Sequence, residues 1–368
     1  MIDIERLIAD ALAICAVASP TGHEEARAGE MLTRLSGVSG LTAELDRHGN
    51  VLARATGSAP VGQPVVVAAH LDTVFGPDVT LAPRRVGGRL IGPGIGDNSL
   101  ALAMLLALAR ELAASPPALD VMLAATVGEE GLGNLKGIRG LLLDQPAVCV
   151  VALEGHGVDE IVAGAVGSVR LEVVCETPGG HSWRDRGAPS AVHELARAVT
   201  GLAYGLPPSV PGCAVNVGTI TGGTGINVIA ARSALQVDIR AVDANILDQA
   251  EMVGRAIVDA TPTHELVKFV IREIGRRPAG ALERWHPMIA LAQAARAAVG
   301  LPPAPLVDGS TDANAAFERG LPGLTVGLTR GGNVHRENEY IDIEPIVQGA
   351  AAVLGLVTSL AEGPWSER

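Results

Sequence analysis

At 368 residues the chain is long enough to bury a large core and to fold as two domains. Apolar residues make up 48% and charged residues 18%, a globular balance, and aromatics reach only 2%, which leaves Val, Leu, Ile and Ala to fill the core. The formal net charge of -12, with no Lys/Arg-rich stripe to offset it, excludes nucleic acid as a partner.

The chain opens MIDIERLIAD, with acids in its first turns and none of the basic, apolar, small-residue order of a signal peptide. The longest strongly apolar stretch, residues 100–109, stops at Arg110 and is too short to span a bilayer, so no membrane contact is expected. Cys15, Cys149, Cys175 and Cys213 lie far apart without a Cys-x-x-Cys pair, which fits a reduced, cytoplasmic protein with inert thiols.

In chain order, residues 3–18 and 23–36 are expected to be helices separated by Ser19-Pro20-Thr21-Gly22. An uninterrupted apolar run over 65–69 predicts a strand buried on both faces. Asp97-Asn98-Ser99 stands where it could cap a helix over 100–114. Buried strands follow at 120–127 and 148–153. Strands alternating with helices predict an α/β domain whose mainly parallel sheet carries helices on both faces.

The rhythm changes after Gly164. A strand at 169–175, a helix at 189–204, strands at 214–220 and 234–240 joined through a Gly-rich turn, a helix at 246–260 and a strand at 265–271 make the ferredoxin-like α+β order. A helix at 285–299 and a buried-type strand at 324–328 then resume the first pattern. The expected division is therefore 1–165 with 282–368 as the catalytic domain, and 166–281 as an insertion.

Ligands collect beyond the carboxyl ends of parallel strands. The residues that follow the apolar runs here are His70-x-Asp72, Glu129-Glu130 and Glu154. Asp97 follows Gly92-Pro-Gly-Ile-Gly96, and His335 follows Gly331-Gly332-Asn333. Taken singly, a His after a strand is usually structural, paired glutamates are usually a solvated strand end, and Asp97 is at least a helix cap. Taken together, four His or acid clusters ending four core elements on one edge favour a metal site. Two imidazoles and three carboxylates suit two zinc ions sharing one bridging carboxylate.

The order His70-x-Asp72, Gly94-Ile-Gly96-Asp97, Glu129-Glu130, Glu154, Gly179-Gly180-His181 and His335 resembles the zinc exopeptidase and deacylase family, over nearly the whole chain. That family includes glutamate carboxypeptidase, aminoacylase, acetylornithine deacetylase, succinyl-diaminopimelate desuccinylase and the bacterial tripeptidase. The resemblance implies that His70, Asp97 and Glu154 hold one zinc and Asp97, Glu130 and His335 the other, with Co2+ or Mn2+ as alternatives. It implies a cis bond from Asp97 to Asn98, an Asp72 carboxylate bonded to the free nitrogen of His70, and Glu129 as general base. It also implies that His181 steadies the oxyanion, and that the insertion serves as lid and homodimerisation domain. Asn216, Asn227 and Arg240 match substrate-contacting positions, although for Arg240 an ion pair with Asp238 or Asp243 is an equal alternative. The implied reaction is hydrolysis of peptide or N-acyl amide bonds in small substrates.

Two features pull apart. Glu154 accompanies carboxypeptidase or deacylase activity in such families, whereas His181-Ser182-Trp183 and Asn338-Glu339-Tyr340 look closest to tripeptidases. Asn98-Ser99-Leu100-Ala101 replaces the relatives' usual acid or Met followed by Lys-Gly. His156 would share a strand face with Glu154 and could join or replace it as ligand. The segment Ser310-Thr311-Asp312-Ala313-Asn314 reads as a pocket loop, while His23, His48, His193, His264 and His286 read as structural or exposed. The competing readings are a homologue of the fold that binds without catalysis, against which the retention of Glu129 argues, and, remotely, a dinucleotide-dependent oxidoreductase suggested by the glycines at 92–96.

Overall fold

A computed structural model describes residues 2–60 and 62–363. The chain divides into two compact units, Met1–Ala165 with Ala281–Arg368, and Val166–Gly280.

In the first unit four strands form the parallel centre, in the spatial order Val121–Thr126, Val65–His70, Cys149–Glu154, Gly323–Gly327. The first two are buried along their whole length, as their unbroken apolar runs require. Antiparallel strands extend the sheet on both sides. The hairpin Thr42–Leu45/Val51–Ala55 joins beside Val121–Thr126, and Ile161–Ala165 joins beside Gly323–Gly327 and carries Leu306–Gly309 in parallel. These flanking strands were not read from the sequence, because each is only four or five residues long and most carry a polar or charged residue.

The helix Leu100–Ala114 coincides with the expected range and buries eleven of its fifteen residues against this sheet and its neighbours. Its packing is aliphatic throughout, as a chain with so few aromatics dictates. The first two helices are shorter than expected, Ile4–Cys15 and Glu25–Ser36. A further helix, Ile346–Ala361, closes the unit. A second small antiparallel sheet, in the order Gly331–Gly332, Tyr340–Asp342, Arg89–Ile91, Arg84–Val86, was not foreseen.

The second unit has the β-α-β-β-α-β order expected of a ferredoxin-like domain. Its sheet runs Ala214–Gly222, Arg232–Ala241, Gly167–Glu176, Lys268–Arg277, every pair antiparallel, with helices Ala191–Thr200 and Ala244–Asp259. The helix expected over 189–204 instead ends at Thr200, passes through a wider turn at Gly201–Gly205 and a short helix Leu206–Ser209. Gly201 and Gly205 weaken the helix there, and Pro207-Pro208 supply no backbone N–H to continue it.

All four cysteines are free thiols, three of them buried. Burial pushes Cys149 up to about 12, and Cys15 and Cys175 up to about 11, and also raises half-buried Cys213. A thiol held above its usual range carries little thiolate, which is the reactive form. At pH 8 in the native protein, an aromatic disulfide reagent is expected to titrate at most Cys213, and slowly. Denaturation should release the other three, and rapid native modification of all four would contradict the packing described.

Candidate metal centre

The central strands place their last residues level. His70 lies opposite Thr126, and Glu154 lies opposite Gly327. Beyond Thr126 the chain turns through Gly128, whose φ of 68° suits glycine, and delivers Glu129 and Glu130 to the same edge. Asp97 comes from the segment after Arg89–Ile91, and His335 from the turn between Gly331–Gly332 and Tyr340–Asp342. Asn333 and His335 both have left-handed backbone, uncommon for residues with a Cβ and characteristic of functional turns.

His70 is buried, and its Nδ1 lies 2.9 Å from the backbone carbonyl of Asp72. With Nδ1 so engaged, Nε2 faces Asp97 Oδ1 at 3.0 Å and Glu154 Oε2 at 3.9 Å. His335 Nε2 lies 3.0 Å from Asp97 Oδ2 and 3.1 Å from Glu130 Oε1. Each oxygen of Asp97 therefore faces a different imidazole.

Two triads result, His70/Asp97/Glu154 and Asp97/Glu130/His335, and within each the ligand atoms lie within 4.8 Å of one another. Zinc–ligand bonds of about 2.0–2.2 Å set neighbouring ligand atoms roughly 3–4 Å apart, close to the imidazole–carboxylate distances of 3.0–3.9 Å in both triads. A third overlapping group, His70/Glu129/Glu130, brings Glu129 to the same place.

The electrostatics describe a cluster in need of positive charge. Burial pushes Glu154 well above the carboxylate range, and neighbouring Asp97, Glu129 and Asp312 add to this against the pull of His70. Burial alone would keep His70 neutral, but its contacts with Asp72 and Asp97 raise it well above the usual imidazole value. Hydrogen bonding to Asp97, then to Glu130, raises His335 to about 10. Burial opposes the ionised form of Asp97, yet bonding to His335 and His70 holds it far below the usual range.

Three sequence readings change. The Asp72 carboxylate stands 3.6 Å from His70 Nδ1, an ion-pair distance, and the ring's hydrogen bond goes to the Asp72 backbone carbonyl instead. The carboxylate is already taken by the backbone N–H groups of Glu129 (2.9 Å) and Glu130 (2.8 Å) and by the Thr21 hydroxyl (2.9 Å). Asp72 thus fixes the turn that presents the two glutamates. Asp97-Asn98-Ser99 does not cap the following helix. Asn98 instead joins the end of the adjacent strand, donating to the Leu153 carbonyl at 2.9 Å and accepting from Gly155 N–H at 3.2 Å, while Ser99 donates to the Gly94 carbonyl. The Asp97–Asn98 peptide is cis. His156 belongs to neither triad; its Nε2 lies 2.7 Å from buried Glu339.

In the second unit the ion pair set beside substrate contact for Arg240 is present. Arg240 is already engaged, its Nε donating to Asp238 at 2.7 Å. Asn216 and Asn227 are exposed there. His181 sits on a two-residue bridge opposite Val228, and its Nδ1 accepts from Trp183 N–H at 3.1 Å.

Thr311 and Thr325 line a cavity of about 210 Å³ together with Asp97, Glu154, His156 and Glu160, so the segment expected to form a pocket loop does border the triads. Asp312 beside it accepts from Thr126 at 2.5 Å. A larger cavity of about 610 Å³ touches the centre at Glu130 and Thr21. Three supports escaped the sequence reading: Thr21, Asn98 and Glu339. Their only signal was position, within a few residues of a recognised ligand or turn.

Residues 66–359 match peptidase family M20/M25/M40. The chain is similar to a probable carboxypeptidase of Ajellomyces dermatitidis, 25% identical over an alignment of 281 residues that covers 67% of this chain and 64% of the relative's length. The match therefore spans just under two thirds of that relative. A tripeptidase from Staphylococcus aureus shares the fold, with a TM-score of 0.81, 19% identity and coverage of 99% of this chain and 100% of that one. So does an M20 family metallo-carboxypeptidase from Sulfolobus solfataricus, with a TM-score of 0.77, 15% identity and coverage of 96% and 98%. With four fifths of its length matched by one family, the chain belongs to peptidase family M20/M25/M40.

Proposed function

We propose that the protein is a metal-dependent hydrolase that cleaves peptide or N-acyl amide bonds of small substrates, holding two divalent cations on His70, Asp97 and Glu154 and on Asp97, Glu130 and His335. The observation that carries this reading is the division of the Asp97 carboxylate, one oxygen toward each imidazole at 3.0 Å. Zinc suits the mixed N/O ligands best, with Co2+ or Mn2+ as alternatives. When bound, such cations acidify water and polarise a carbonyl, which an amide needs because neutral water attacks it poorly.

The protein's own residues supply the remaining steps. Glu129, buried beside His70 and Glu130, takes a proton from the attacking water as its oxygen adds to the carbonyl carbon. When the C–N bond breaks, Glu129 returns that proton to the leaving nitrogen. Asp72 keeps Glu129 in place by holding its backbone N–H, so the base cannot swing away with its loop. From the inserted unit we assign His181 to the oxyanion and Asn216, Asn227 and Arg240 to substrate recognition, and we assign to that unit the contacts of a homodimer.

Three outcomes test the reading. Glu129→Gln is expected to retain two zinc ions per chain by elemental analysis while kcat falls about 10²–10⁴-fold on whichever of a panel of dipeptides, tripeptides and N-acetyl amino acids the wild type cleaves. Turnover near that of the wild type would remove Glu129 from its role. His181→Ala is expected to lower kcat with the assembly state unchanged in a sizing experiment; unaltered kinetics would withdraw His181.

The third concerns pH. In the metal-free protein the acidic partners raise both imidazoles and so favour their protonated forms, whereas metal binding requires them neutral. Zinc titrated into metal-free protein at pH 7 should therefore release protons, from the imidazoles and from the raised Glu154 carboxyl, with apparent affinity rising about tenfold per pH unit for each proton displaced. The stability that His335 gains from Asp97 and Glu130 without metal has the opposite sign. It is complete below the ordinary imidazole value of 6.5 and is lost as pH rises through about 10. Metal uptake without proton release would contradict the ligand assignment.

A further inference from the structure

We propose that Glu339 and His156 act as a positioning pair that holds the segments bearing Glu154, Asp97 and His335 in one register. The inference rests on the two-cation reading and adds to it two residues outside both ligand triads.

Glu339 has no exposed surface, and four donors converge on its carboxylate. Oε2 accepts from Gly94 N–H at 2.9 Å. Oε1 accepts from Gly96 N–H at 3.1 Å and Asp97 N–H at 2.9 Å, and lies 2.7 Å from His156 Nε2. The Glu339 backbone carbonyl also accepts from Gly92 N–H at 2.9 Å. The segment 92–97 lies outside the named strands up to Ile95, so Glu339 stands in for the partner strand that would otherwise satisfy its N–H groups. A carboxylate among N–H donors makes the stronger, charge-assisted kind of hydrogen bond.

Glu339 also closes the turn that carries His335. The next residue, Tyr340, pairs with Ile91, directly ahead of Gly92. The two ligand-bearing turns thus leave neighbouring strands of the small sheet, and Glu339 ties one to the other. His156 adds the third segment, standing two residues after Glu154. Its ring fills a space that two glycines leave open. A Cβ at Gly96 would stand 2.2 Å from its Nε2, and one at Gly331 would stand 2.5 Å from its Cε1. Side chains at either position would expel the ring, and with it the contact between strand end and both turns.

The test is Glu339→Gln in the full chain. The amide keeps the shape, but it offers one acceptor oxygen where Glu339 offers two and turns an NH2 toward at least one backbone N–H. Amide exchange at residues 94–97 is expected to quicken at least about tenfold in the metal-free variant, while helix Ile346–Ala361 exchanges as in the wild type. Zinc competition against a chromophoric chelator should show one ion weakened by about 10–100-fold. At saturating zinc, kcat should fall with KM within about twofold, a split that general loosening of the fold would not produce.

Should Glu339→Gln not fold, His156→Gln serves instead. It can still donate to Glu339 but cannot fill the space between Gly96 and Gly331, and a weakening of about 3–10-fold in one zinc is expected. Exchange, zinc affinity and kcat all equal to wild type in the variant that folds would overturn the pair. A wild-type protein that binds fewer than two zinc ions or cleaves no member of the panel would instead sink the two-cation reading itself, so the two failures are distinguishable.

Discussion

The placement of the Asp97 carboxylate is the constraint on which the rest of the site depends. Two imidazoles 3.0 Å from its separate oxygens, one from each end of the unit's sequence, meet only if the backbone at residue 97 is held to a few tenths of an ångström. A short carboxyl side chain cannot compensate for a displaced backbone as a long one could. The surroundings answer this demand directly. Asn98 bonds the end of the Cys149–Glu154 strand on one side, and the backbone N–H of Asp97 is bonded to a buried carboxylate on the other. The cost of burying so many polar groups is offset because nearly every one finds a partner.

The parallel sheet explains why these residues meet at all. Strands that run the same way finish on the same edge, so His70 and Glu154 come level without any loop having to reach. Glu129 and Glu130 need one left-handed glycine, and Asp97 and His335 need the small second sheet. The rigid part of the site is therefore carried by strand ends, and the adjustable part by turns that are individually fastened. Asp72 fastens one of them, with a carboxylate that its position two residues after His70 places beneath the Glu129-Glu130 turn.

This division also decides what was legible in the sequence. The central strands and the helix Leu100–Ala114 announce themselves by unbroken apolar runs, and His70, Glu129, Glu130 and Glu154 of the candidate centre follow those runs. The ferredoxin-like unit was legible for the same reason, from alternating strand and helix patterns with glycine turns. The small sheet was not, because Arg84–Val86 and Gly331–Gly332 are too short and too polar to carry a periodicity. The roles of Asp72 and Asn98 were misread because sequence spacing cannot show which of several nearby donors a carboxylate or amide will meet. Asn98 before a helix has the composition of a cap, but the strand end at Leu153 offered it a better pair of partners. Glu339 was visible only as part of a family resemblance, since a buried acid four residues beyond a histidine has no local pattern to mark it.

Charge completes the picture. Asp72, Asp97, Glu129, Glu130, Glu154 and Asp312 crowd one sheet edge, and burial there would favour neutral carboxyls over charged ones. One fixed cation lies behind them. Arg27 is 1% exposed, donates to the carbonyls of Val17 and Leu71, and keeps a pKa of about 10 despite its burial. Its bonds are to backbone rather than to a carboxylate, so it anchors the strand end between His70 and Asp72 while leaving the acids free to accept other partners. One buried guanidinium cannot balance six acids. The acids raise His70 and His335 above the usual imidazole value, which favours their charged forms, and a bound cation would take over that role while displacing the protons. The same acids that make the metal-free cluster costly are thus the reason that cations, rather than further arginines, suit its centre: a cation exchanges for protons and accepts a substrate beside it, whereas an arginine would fill the space that the chemistry needs.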